Sequence, residues 1–569
     1  MNRTIVMLGV VVAASAVFVY LMSDRILAPA DWSYIMEPAY RVTLGQMAYR
    51  DFFLVLTPGI IYTVAGLMLL GGGNIPMLVF VLVVQATTIV LSFFIYRNIL
   101  KDNALSLLLT LPTAATFHAF YPFPSYETTA MVFILGSFLL ALKGLERKEG
   151  VALWILAGAL ATIAPLYKQN TGGVYLIAFF LSLFLARFAA KTPPSWKQIL
   201  SAIAGTAAVS TSFFLWLLGN GALENFIYQT VTFPGEVRGP LEMLPGIVSG
   251  YFNVYSLALY ASFGGLLLAL RYFANGKYRD RSFRASAIAT FIIFPFALAV
   301  ALWAMGKIPA YNLRNYYGSL PLGLILVGVG VVLHDLVKRS RKETTTIDFF
   351  LLPPIMVIVI SHLSQGVYGS SLFLEFPNIM LIAAILLRRF DEDIKAKDRL
   401  WGAVAAIVPV TLFLGYASWV LLRFGIYAFP EEIQSDAKHP KLNHIGAPHN
   451  VVTRLDSLAR YIQTNIPKND PIVEIPYEDP IYYLTDRTPP VFFSSFDMYP
   501  PIGGSFPLAR TDEQLFQNNI KWFIVRLPTT PDQKYAYTYL EVIEKIQARS
   551  TKVYSIPGYN IYLNESYEK

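Results

Sequence analysis

The sequence predicts a polytopic α-helical membrane protein of roughly thirteen transmembrane helices with an extracytoplasmic α/β domain at its C-terminal end. Three observations predict it. The 569 residues are 55% hydrophobic and only 14% charged, with mean hydropathy +0.50, whereas a soluble chain carries about 25% charge. Thirteen apolar runs of spanning or near-spanning length recur along the chain. Beyond about Arg423 that pattern stops, and short strand-like and helix-like segments alternate.

The runs fall at 4–22, 76–96, 103–119, 127–142, 151–166, 173–187, 198–218, 253–270, 285–304, 318–333, 346–362, 375–387 and 400–422. The first has no small-residue cleavage site after it, so it reads as a retained helix and not as a signal peptide. A shorter run at 58–70, PGIIYTVAGLMLL, begins with Pro-Gly and ends in GGGN. It is too short to span and reads as an interfacial helix within the first loop, 23–75. Cysteine is absent, which excludes disulfides, thiolate nucleophiles and Cys-ligated metals.

Loop charge tests that assignment. With 58–70 kept on the surface, one set of loops holds 23 Lys and Arg, among them Arg97, Lys143, Arg187, Arg279, Arg339 and Arg388. The opposite set holds seven: Arg25, Arg41, Arg50, Lys168, Arg238, Lys307 and Arg314. Positive residues mark the cytoplasmic side. The N-terminus is therefore expected in the cytoplasm, and the first loop and the C-terminal domain outside the cytoplasmic (inner) membrane. The net charge of +8 is a property of these loops and gives no reason to expect a nucleic-acid partner.

Residues 1–422 read as the membrane domain, and 423–569 as a linker followed by the α/β domain. In the latter, VVTRLDSLARYIQTNIP reads as an amphipathic helix with Val451, Leu455, Leu458 and Ile462 on one face. PIVEIP and KWFIVRL read as strands, EDPIYYLTD and YLEVIEKIQARS as helices, and KVYSIPG with YNIYLNE as a final hairpin. His439, His444 and His449 in the linker are spaced widely, either as a metal-ligating trio or as solvated linker residues.

The chemistry-bearing residues lie on the expected outer face. The first loop, DWSYIMEPAYRVTLGQMAYRDFFLVLTPG, carries Asp31, Glu37 and Asp51. Carboxylates beside a bilayer need water, a partner or a substrate. They are either the acidic side of a reaction centre or partners of Arg25, Arg41 and Arg50. Glu127 adds a further acid, and Lys168, Arg238 and Arg314 are cations; Gln169 and Asn170 flank Lys168. Lys and Arg bind phosphate, a carboxylate can take a hydroxyl proton, and cations stabilise charge on a departing phosphate. For each cation an interfacial anchor or a salt bridge remains the alternative. No Walker motif, GxSxG, HExxH or dinucleotide loop stands out.

The layout resembles the GT-C superfamily of glycosyltransferases, which use polyprenyl-phosphate sugars and include protein O-mannosyltransferases and the lipid A aminoarabinose transferase. The similar features are an Asp soon after the first helix, the phrase GQMAYRDF, Thr57-Pro58-Gly59, a short helix ending in LLGG, YKQNTG around Lys168, RNYYGSLP, and the tail LARYIQTNIPKNDPIVEIPYEDPIYYLTDRTPP. The resemblance implies a GT-C-like membrane domain with catalytic roles for Asp31 and Asp51; Glu37, the remaining acid of the first loop, is a further candidate catalytic residue. The resemblance also implies that Lys168 and Arg314 line the carrier-phosphate site with Glu127, Gln169 and Asn170 beside them. Many relatives have a second acid directly after the first, where this chain has Trp32, which weakens an Asp-x-Asp metal site; no metal or other cofactor is expected. Glu127 stands near an Asp of many relatives, although the surrounding PSYETT differs.

The expected function is an inverting glycosyltransferase moving a monosaccharide from a polyprenyl-phosphate donor to a hydroxyl of a glycan, lipid or protein on the outer membrane face. The alternatives are a transporter or flippase of lipid-linked sugars, which calls for polar residues along the helices and repeated halves, and a lipid-diphosphate-dependent glycan ligase.

Overall fold

The computed structural model describes residues 3–23, 29–71, 73–116, 123–147, 150–234, 346–365, 372–393, 439–442, 449–475, 480–492, 515–516, 520–527, 536–565 and 567. The expected helices at 253–270, 285–304, 318–333 and 400–422 lie outside them, as do Arg238, Lys307 and Arg314.

The N-terminal part runs α1 (Arg3–Ser23), α2 (Pro29–Thr43), α3 (Gly59–Leu69), α4 (Ile75–Leu100), α5 (Asn103–Thr116), α6 (Tyr126–Glu146), α7 (Val151–Tyr167), α8 (Gln169–Ala189), α9 (Trp196–Gly219) and α10 (Leu223–Ile227). A π-helical turn, Tyr228–Thr232, continues α10. Among the described residues, α1, α4, α6, α8 and α9 are long and apolar enough to cross a membrane, and the protein is a helical membrane protein. After α11 (Thr346–Phe349) come two further apolar helices, α12 (Leu352–Gln365) and α13 (Leu372–Asp393). Local signals set the ends: Ser195 and Gln198 form a capping box on α9, and Ser125 caps α6.

Helices α4, α6, α7, α8, α9, α12 and α13 enclose one apolar core around Trp154, Phe138, Phe179 and Phe350. In lipid, close helix approach depends on small residues. Between α7 and α9 the approach is extreme. A Cβ on Gly158 would overlap the Ala202 carbonyl, and one on Gly205 would overlap that of Ile155. Both obstacles are backbone atoms of packed helices and cannot swing aside. Gly158→Ala is expected to destabilise the folded protein by about 1–3 kcal/mol, seen as an earlier thermal unfolding transition in detergent. An unchanged transition would mean that the two helices can separate without cost.

The short 58–70 run forms α3, as expected, while α2 is a helix where the sequence reading placed only loop. Pro29 opens α2 with its φ already set for a helix. Ile35, Met36, Ala39 and Tyr40 form its buried stripe.

The C-terminal region comprises α14 (His449–Asn465), β1 (Ile472–Ile475), α15 (Ile481–Thr485), β2 (Trp522–Arg526), α16 (Ala536–Arg549), β3 (Ser550–Ile556) and β4 (Tyr559–Asn564). The sheet order is β1-β2-β4-β3: β1 runs parallel to β2, β4 antiparallel to both β2 and β3. Leu455, Leu458 and Ile462 of α14 are buried as expected; the Val451 side chain lies outside the described residues. Buried Arg487 donates to the carbonyls of Ile466, Pro467, Lys468 and Asp470, closing the C-terminal end of α14 and fixing the entry to β1.

This region packs against the first loop. Arg41 Nη1 of α2 donates to the Val491 carbonyl at 2.8 Å, and the Phe53 amide donates to that of Phe492 at 2.9 Å. Tyr40 and Tyr483 meet edge to face at 5.8 Å, and one apolar cluster joins α2 and α3 with α14, α15, β2 and β4.

Candidate functional site

The chain reverses between α7 and α8 over a single extended residue, Lys168 (φ −139°, ψ 102°). The Lys168 amide closes α7 on the Ala164 carbonyl at 3.1 Å, and its own carbonyl starts α8 by accepting from Gly172 at 2.8 Å. The corner can be this tight because Gly172 has no side chain; a Cβ there would overlap the backbone of Ala164 and Pro165. From the other side α3 presses on the corner. A Cβ on Gly59 would stand 2.6 Å from the Leu166 carbonyl oxygen, and the Thr63 and Tyr167 hydroxyls lie 3.0 Å apart. Gly59 of Thr57-Pro58-Gly59 is thus the residue that lets the first loop touch the Lys168 corner. Gln169 strengthens the contact by donating to the Val55 carbonyl at 3.1 Å, and Asn170 Oδ1 accepts from the Thr171 amide at 2.8 Å.

The Lys168 ammonium is held in this corner 2.9 Å from Glu127 Oε1, with the side chains 11% and 12% exposed. It also lies 4.2 Å from the centroid of the Tyr126 ring. Glu127 occupies the first turn of α6, where the helix dipole favours an acid. Nearly buried ion pairs carry a large desolvation cost, so an ion pair within an apolar helix bundle is a functional-site hypothesis in its own right.

A second polar group reaches the same corner from α12 and α13. The Glu375 carboxylate, 2% exposed, accepts from Ser361 Oγ at 2.6 Å and from Asn378 Nδ2 at 2.9 Å. Ser361 Oγ lies 3.3 Å from Thr171 Oγ1, three residues past Lys168. The charges of Glu127 and Lys168 both act on Glu375. Sequence reasoning passed over Glu375 because it lies at the edge of an apolar run. A lone acid entering such a run, with an amide three residues later, was the available signal.

The first-loop acids take three different places. Asp31 sits in the first turn of α2, its side chain outside the described residues. Glu37 is fully buried on α2, one turn before buried Arg41. Asp51 locks a turn: its Oδ2 accepts from the Met47 amide at 2.7 Å, and Arg50 donates to both its oxygens at 2.8 Å. The Arg50 guanidinium hydrogen bond, with that of Met47, holds the Asp51 carboxyl below its usual range, making it a weaker base than a free carboxylate. The same turn puts buried Tyr49 at φ +72° and directs its hydroxyl to the Leu56 carbonyl at 2.7 Å. Gln229 braces the turn at Tyr49 O and the Leu54 amide.

Of the predicted residues, then, the structure joins Glu127 with Lys168, and it sets Gln169 and Asn170 at the same corner. Arg314 lies outside the described residues. Of the histidine trio only His439 has a described side chain, near Gln463 and Lys441. Among the described residues no group of three or more His, Cys, Asp or Glu side chains is placed to hold a metal ion.

No family model matches the chain, and no curated protein does. Among solved structures, the chain is similar to ArnT from Cupriavidus metallidurans bound to undecaprenyl phosphate, at 14% identity over 98% of both chains with a TM-score of 0.48. It is similar to the Archaeoglobus fulgidus oligosaccharyltransferase in complex with zinc and sulfate, at 12% identity over 97% of this chain and 73% of that one, TM-score 0.49. It is also similar to the archaeal oligosaccharyltransferase AglB from Archaeoglobus fulgidus in complex with an inhibitory peptide and a dolichol-phosphate, at 12% identity over 98% of this chain and 74% of that one, TM-score 0.45.

Proposed function

We propose that the protein is an inverting glycosyltransferase that moves a monosaccharide from a polyprenyl-phosphate donor to a hydroxyl acceptor on the outer face of the cytoplasmic membrane. The observation that carries this reading is the enclosed Glu127–Lys168 pair at 2.9 Å. It joins helix ends whose loops are poor in Lys and Arg, the ends expected outside. A cation held at the mouth of an apolar bundle suits a phosphate whose lipid tail stays in the bilayer.

In this reading Asp31 is the general base and Lys168, with Arg314, holds the phosphate. The acceptor oxygen attacks the sugar C1 from the face opposite the phosphate. The C1–O bond breaks with its electron pair leaving on the phosphate oxygen, and the acceptor proton passes to the carboxylate. Lys168 is worth more to the product-like phosphate than to the donor because negative charge grows there. The tight Asp51 turn and α3 hold the first loop against the Lys168 corner, and the C-terminal region covers α2.

The test is transfer from a panel of radiolabelled polyprenyl-phosphate sugars by the purified protein in lipid, with and without EDTA. The expected result is transfer from one donor, unaffected by the chelator, giving a product of inverted anomeric configuration. Retained configuration, or absence of transfer despite carrier binding, would overturn the reading; loss with EDTA would overturn its metal independence.

A further inference from the structure

Among the described residues, the corner brings together two carboxylates, Glu127 and Glu375, and one ammonium, Lys168. Each oxygen of buried Glu375 receives a hydrogen-bond donor, Ser361 Oγ at 2.6 Å and Asn378 Nδ2 at 2.9 Å, an arrangement that serves the ionised form. A buried charge needs a partner charge. Among the described residues, the cation that acts on Glu375 is Lys168, against the repulsion of Glu127, and Lys168 already pairs with Glu127 at 2.9 Å. Ser361 links the acid to Thr171 in the first turn of α8 at 3.3 Å, so the two acids and the cation form one polar unit.

We propose that Glu375 is a specificity-determining residue, a second counter-charge of Lys168 that shifts the preference of the site from a lipid phosphomonoester toward a lipid phosphodiester. The proposal rests on the transfer reading above. Before transfer the headgroup is a phosphodiester with one negative charge. Afterwards it is a phosphomonoester, with close to two above pH 7 because its second pKa is about 6. With Lys168 shared between two acids, each added headgroup charge meets repulsion from Glu375. The spent carrier meets about twice as much as the donor, and so leaves.

The experiment uses the full chain in nanodiscs of neutral lipid at pH 8, titrated with dodecyl phosphate and with methyl dodecyl phosphate. Wild type, Glu375→Gln and Lys168→Met are compared. Asn378 Oδ1 is buried without a hydrogen-bond partner, so a flip of this amide supplies an acceptor for the new NH2 group, and E375Q is expected to fold. Glu375→Met, which needs no partner, gives the same comparison should E375Q not fold. Removing the charge is expected to tighten binding of the monoester about tenfold and of the diester about threefold. Equal shifts, no shift or weaker binding of the monoester would overturn the proposal. Binding by wild type that is lost in K168M keeps the lipid-phosphate reading standing whatever E375Q does. Failure of wild type to bind either ester would overturn both.

Discussion

Lys168→Met is expected to lower sugar transfer by about 100-fold or more, the scale on which removal of one charge-stabilising donor acts. Every local feature of the corner serves the placement of this side chain. Gly172 permits the reversal, Gly59 lets α3 buttress it, and Glu127 and the Tyr126 ring hold the ammonium. The substitution also removes the cation facing a nearly buried acid, a change that costs about 3–5 kcal/mol in fully buried pairs. Loss of activity alone therefore does not separate chemistry from folding. The double variant Lys168→Met with Glu127→Gln does. Neutralising both partners is expected to restore part of the thermal stability lost in the single variant, because replacing a buried pair by neutral groups is often tolerated, while buried Glu375 keeps its Ser361 and Asn378 donors but not the cation. Transfer is expected to stay low. A double variant that regained wild-type transfer would reduce Lys168 to a structural ion pair.

The sequence reading reached the helices of 3–23, 75–219 and 346–393 and the short helix α3, because apolar length and Pro-Gly punctuation are local signals. It also reached the β1, β2 and hairpin strands, whose alternation and turn residues are equally local. It missed α2, although Trp32, Ile35, Met36, Ala39 and Tyr40 carry a helical period. Its two acids, two prolines and flanking apolar helix drew that segment toward a loop reading. The site was half legible. Lys168 and Glu127 were singled out separately, but their pairing depends on α6 lying beside the α7–α8 corner. Glu375 offered only the signal of a lone acid entering an apolar run, and its meaning comes from Ser361 and Thr171, which approach only in the fold. Asp51 looked like a catalytic acid by its neighbours in sequence, and the backbone amide of Met47 that occupies it appears only once the turn is formed.

Asp31→Asn is expected to lower transfer by about 10²–10⁴-fold, the contribution of a positioned general base, while leaving expression intact. The residue lies in the first turn of α2, where loss of its charge at the helix start costs no more than about 1 kcal/mol, so a folding defect is not expected to hide the effect. The acids of this loop differ in what else they do. Glu37 is fully buried on α2, and Asp51 is occupied by Met47 and Arg50. Asp31 stands at the opposite end of α2 from Arg41, which anchors the helix to Val491. The pH profile carries the assignment further than the rate. Wild-type kcat/KM should fall on the acid side as the base takes up a proton, and the residual activity of the Asn variant should lack that limb. A D31N protein that turned over at a near wild-type rate, or that kept the acid limb unchanged, would move the role of base to another residue of the site.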